Sequence, residues 1–177
     1  MKRGLKIIIF IMLNLSYGLS AQSRAVNITL PTVALLDVEP HGVNINLNFT
    51  APTEAGNPVS APTPNTSKWL NYTSAVTAAG TARTVTAFVS QTIPGINIRL
   101  SVANASGTGG GVLGTSSALT AVTLTTSPII IISGIRGAFT GNGTSNGHQL
   151  TLTAATGNYA NITAGSTSVL VTYTISD

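Results

Sequence analysis

The chain is 177 residues long, with 43% hydrophobic and only 7% charged side chains, no cysteine and a formal net charge of +4. No cysteine means no disulfide framework and no thiolate metal site. Lys2, Arg3 and Lys6 account for the excess charge, so the remainder is nearly balanced and lacks the basic patch with interleaved aromatics that nucleic acid requires.

The first element in chain order is "MKRGLKIIIFIMLNLSYGLSAQS": a basic front, an apolar run over residues 7–17, then small residues at Gly18, Ser20 and Ala21. This order predicts a secretory signal peptide over residues 1–21. The apolar run is shorter than the roughly 20 residues of a membrane helix, and there is no cysteine to carry a lipid. Residues 22–177 then form the mature chain, with no stable membrane span. About 150 residues suffice for one well-buried domain. Charge far below the usual ~25% leaves a surface of Thr, Ser, Asn and Gly, which suits β structure in a secreted or periplasmic protein on its way to the cell surface.

Period-two alternation recurs through the mature chain and predicts strands near 25–30, 32–38, 43–49, 68–73, 84–89, 96–103, 118–124, 129–135, 149–154 and 168–175. Turn formers separate them, and no window has helical spacing. The expected fold is a single all-β domain, an immunoglobulin-like or pilin-like antiparallel β-sandwich. In "GVNINLNFTAP", Val43, Ile45, Leu47 and Phe49 alternate with three asparagines, so that strand is expected to lay its apolar face on a second sheet about 10 Å away. Pro52–Pro64 is expected to be a long surface loop. Ile129–Ile132, apolar on both faces, is expected to be an inner strand, because four isoleucines at an edge would aggregate.

Several stretches have the letters of chemistry. Gly109, Gly111 and Gly114 match G-x-G-x-x-G, but no helix follows and no acid occurs between Glu54 and Asp177, so a flexible loop is expected. "GTSNG" with His148 matches G-x-S-x-G, yet its setting is a hairpin tip, which leaves Ser145, His148 and Asp37 a triad in name only. Asp37, Glu39 and His41 alternate in "DVEPH" and would share a strand face; solvated or turn-capping carboxylates are the expectation, with calcium the better match than zinc if a cation binds. Trp69 is expected in the core, while Tyr72, on the opposite strand face, is open between core and sugar platform. The seven Asn-x-Ser/Thr triplets of the mature segment follow from composition. No catalytic residue, cofactor or resident metal is expected, and the protein is not expected to be an enzyme.

From Tyr159 the chain reads "YANITAGSTSVLVTYTISD". A tyrosine, a turn at Gly165 and a strand alternating through Val169, Val171, Tyr173 and Ile175 resemble the C-terminal end of bacterial fimbrial subunits, the spore-coat-U-like subunits of archaic chaperone–usher systems. The resemblance implies an incomplete sandwich completed by the N-terminal segment of the next subunit. "AVNITL", with Val26, Ile28 and Leu30 on one face, is the segment that would serve. The expectation is a cell-surface structural or adhesive protein of the pilus type, whose partners are copies of itself or other surface proteins. The alternative is a secreted β-sandwich module that binds glycans or a calcium-dependent partner.

Overall fold

The structure, a computed structural model, describes residues 21–177; the predicted signal peptide lies almost wholly outside them. The chain divides after Leu30. Residues 21–30 contain no strand or helix, and Val26, Ile28 and Leu30 are 79–86% exposed. The expected strand at 25–30 is therefore absent from the chain's own sheet.

In residues 31–177 the regular secondary structure is almost all β. Nine strands run β1 Val33–Glu39, β2 Asn65–Ala75, β3 Arg83–Val89, β4 Ile96–Val102, β5 Gly110–Ser116, β6 Val122–Thr123, β7 Ile129–Phe139, β8 His148–Thr156 and β9 Val171–Ser176, with a 3-10 turn at Tyr159–Asn161. All pairings are antiparallel, in the order β6-β4-β8-β2-β7-β3-β9, with β1 also against β2 and β5 also against β7. The result is sandwich-like because β2 changes partners. Asn65–Leu70 pairs with β8, whereas Thr73 and Ser74 pair with β7. At the switch Tyr72 N–H donates to Thr140 Oγ1 (2.9 Å) and Thr140 N–H to the Tyr72 carbonyl (3.0 Å). Strands that cross between layers are how such corners are made. No helix among the described residues is long and apolar enough to cross a membrane.

Alternation places the core. In β3 and β8 every second residue is buried; Val85, Val89, Leu100, Ile131, Ile132, Ile135 and Leu150 are at most 1% exposed. The isoleucine run is an inner strand, as expected, with β3 on one edge and β5 on the other. Ile131 and Ile132 are both buried although adjacent, because the β3–β7 register slips between Val85↔Ile132 and Thr86↔Ile130 and such a bulge turns two successive side chains inward. Ile130 is left 52% exposed.

Two further strand expectations and one loop expectation need correction. Residues 43–49 keep the alternation, with Ile45, Leu47 and Phe49 half-buried and the three asparagines exposed, but they join no ladder. The stretch expected at 118–124 does lie along β4, but it forms a ladder only at Val122 and Thr123, with single backbone bonds at Ala118 and Leu124. "GGGVLG" is not a flexible loop: it is mostly β5, paired with β7. Gly111 has φ +86°, and a Cβ there would run into the Gly137 carbonyl oxygen. Glycine is what allows the two backbones to approach.

Candidate functional site

Two extended segments have apolar rows without a complete ladder. β9 pairs with β3 alone and ends the sheet. Its Val171, Tyr173 and Ile175, with Val169 just before it, pack half-buried against the core. Tyr173 Oη is buried without a hydrogen-bond partner, and burial raises its pKa. The second segment is 43–49, of which Ile45 packs on the core. Leaving one edge of β9 open exposes a row of backbone donors and acceptors, which natural sheets normally cover or charge. Here it carries Thr172, Thr174 and Ser176 rather than lysines.

At the far end of β1, alternation sets Asp37 and Glu39 on the outer face, since Leu36 and Val38 pack on the core. The turn at 40–42 then folds His41 back toward both carboxylates; it closes through Gly42 at φ +65°, a conformation side chains disfavour. His41 Nε2 lies 3.0 Å from Asp37 Oδ2 and 3.4 Å from Glu39 Oε1. The second oxygen of each carboxylate accepts from a backbone N–H, Val38 onto Asp37 Oδ1 (2.6 Å) and His41 onto Glu39 Oε2 (3.2 Å). Lys68 Nζ donates to the Pro40 carbonyl and anchors the turn. So the three residues that share a face in sequence do converge, and Glu39 caps the turn through the His41 N–H, as expected of a carboxylate there.

Trp69 is a correction. It is half-buried on the outer face of β2, opposite Glu39 and Gln149 in the register, while Leu70 and Tyr72 point into the core. Tyr72, 3% exposed, stacks on His148 with ring centroids 5.7 Å apart. Its hydroxyl contacts His148 Nε2 (3.0 Å) and the Leu113 carbonyl, and His148 Nδ1 lies 2.8 Å from the Ala103 carbonyl. A carbonyl only accepts, so Nδ1 carries a proton toward Ala103 and the Tyr72 hydroxyl donates to Leu113, with Nε2 in contact with that hydroxyl. Burial lowers the His148 pKa, against the smaller upward pull of the carbonyls at Ala103 and Leu113. With both ring nitrogens committed and Asp37 turned to His41, the residues of the G-x-S-x-G reading are not brought together. Ser145 sits in the turn before β8 with φ +67°.

A cavity of about 300 Å³ opens beside the β3–β4 turn, lined by aliphatic, Thr, Asn and Gln side chains, among them Val89, Ile93, Ile98, Leu124, Asn97 and Asn158. None of its lining residues is charged.

No protein-family model, no curated protein and no solved structure matches this chain.

Proposed function

We propose that this is a secreted cell-surface structural protein that assembles by strand addition, the mode of a pilus or fimbrial subunit. Residues 25–30 of one molecule add to the free edge of β9 in another. Main-chain hydrogen bonds set the register, and Val26, Ile28 and Leu30 extend the row of Val171, Tyr173 and Ile175. The observation that carries this reading is the pairing deficit on both sides: β9 has one open edge, and 25–30 offers an alternating row more than three-quarters exposed. An exposed row of three aliphatic side chains is worth roughly 1.5–3 kcal/mol each on full burial, enough to favour association once ordering costs are met.

Light scattering tests it. Mature 22–177 is expected to form species heavier than a monomer as concentration rises. A 31–177 chain is expected to keep the same β-type circular dichroism and remain monomeric. A 22–177 chain that stays monomeric throughout, together with unchanged surface display of 31–177, overturns the proposal.

A second reading, a ligand-binding module for glycans or a calcium-dependent partner, draws on one observation: the ligand atoms of Asp37, Glu39 and His41 lie within 4.8 Å of one another, beside a half-buried Trp69 on the same face. Glycan arrays and calcium titration separate it from the first.

A further inference from the structure

The chain writes one short pattern twice: "VNITL" at residues 26–30 and "VNINL" at residues 43–47, on either side of β1 in sequence. Only the fourth letter differs, Thr29 against Asn46, and Asn46 lies on the exposed face of its segment. The apolar row Val-x-Ile-x-Leu is therefore the same in both, and on an extended backbone it points to one side. The two copies differ in what they cover. The first is exposed throughout, whereas Ile45 of the second packs on the core and Leu47 is half-buried.

We propose that residues 43–47 cover, in each molecule, the apolar seat that residues 26–30 of a second copy take on assembly, so that the incoming segment displaces its own double. The inference rests on the strand-addition reading above and adds to it the segment that has to yield. Residues 43–49 are held lightly. Among the described residues no ladder and no backbone–backbone hydrogen bond holds them; the next bonds along the chain join Thr50 and Ser60, at 3.0 and 2.9 Å. Side-chain burial is their hold, and Val43 is 56% exposed even so. A segment with so few ties opens at less cost than a paired strand.

Ile45 and the β9 row of Val171, Tyr173 and Ile175 pack on the same core cluster. A donor with the same apolar row that also pairs with the β9 edge makes side-chain and main-chain contacts together, whereas 43–47 makes the first kind alone. Exchange is then favourable with no change in the side chains that meet the core. Until it happens, the cover lowers the apparent affinity for the donor in proportion to the fraction of molecules in which it is lifted.

The test uses mature 22–177, at a concentration where light scattering shows monomer, and a fluorescein-labelled peptide of residues 22–30. Anisotropy reports binding, and mass spectrometry of chymotryptic cleavage after Leu47 and Phe49 reports release of the cover. At saturating peptide, cleavage there is expected to speed up at least about tenfold, since proteolysis follows the population of the open segment. A peptide carrying Ile28→Ser is expected to bind about tenfold more weakly, having lost one buried aliphatic group. Ile45→Ser in the protein is expected to tighten peptide binding about fivefold by weakening the cover. Asn46→Thr leaves the buried face intact and makes cover and donor identical, so it is expected to leave peptide binding and circular dichroism unchanged. Binding without faster cleavage, or an affinity that Ile45→Ser does not raise in a variant with wild-type circular dichroism, overturns the displacement and leaves strand addition standing. A large change in binding with Asn46→Thr overturns the equivalence of the two segments. A peptide that does not bind at all removes both the displacement and the strand addition it rests on.

Discussion

Arg83→Ala is expected to destabilise the domain by about 2–4 kcal/mol, from lost charge-assisted hydrogen bonds and lost packing of the aliphatic stem. Arg83 opens β3 where the sheet changes layers, and it is 7% exposed. Its Nη1 donates to the Val33 carbonyl at the start of β1, to Ser74 Oγ (3.3 Å) and to the Ala75 carbonyl (3.5 Å) at the end of β2. Its Nε donates to Asp177 Oδ1 (2.6 Å), just beyond β9. One guanidinium therefore ties together the ends of three strands. Removing it leaves carbonyls in a water-poor corner without a donor, which is the source of most of the cost. Asp177→Asn is expected to cost less than about 1 kcal/mol, since the side chain is 67% exposed and the amide Oδ1 can still accept from Arg83 Nε. Urea unfolding of both variants measures the difference. Equal, small effects would place the anchoring of the corner elsewhere.

The second large effect concerns the buried pair Tyr72–His148. His148→Ala is expected to cost about 2–4 kcal/mol, combining an unfilled space with the loss of buried hydrogen bonds. His148→Gln isolates the titration. The folded state holds the imidazole neutral, with its pKa lowered chiefly by burial, while the unfolded chain takes up a proton near the ordinary value of about 6.5. The stabilisation from neutral His148 is therefore complete above about pH 6.5 and is lost as pH falls from there toward the lower folded value. Wild-type protein is expected to weaken over that range more steeply than His148→Gln. Parallel pH profiles would show that the buried ring does not drive the acid sensitivity.

Most of the sheet was legible in the sequence because alternation is a direct record of which side chains seek the core. β3 and β8 follow their period-two pattern residue by residue. The pattern does not record whether a hydrogen-bonding neighbour exists, and for that reason 25–30 and 43–49 read as strands yet join no ladder among the described residues. β5 was missed for the opposite reason. Its glycines look like loop chemistry, but at Gly111 they serve the close approach of β7. The half-buried, outward position of Trp69 is not legible because "KWLNYTS" places apolar residues on both faces. The inward parity belongs to Leu70 and Tyr72, with Lys68 reaching out at the strand's end to Pro40. Asp37, Glu39 and His41 are readable as face-sharing, whereas how closely His41 approaches the carboxylates depends on the turn at 40–42. The Tyr72–His148 network joins residues 76 positions apart, with no local signature.

The proposed assembly requires that the open edge of β9 accept another copy's N-terminal segment. Hydrogen exchange on the 31–177 chain, with and without a synthetic peptide of residues 22–30, tests this most directly. An edge strand has alternate amides unpaired, so the peptide is predicted to slow exchange at every second residue of β9. Unchanged exchange across Val171–Ser176 at saturating peptide would contradict the account.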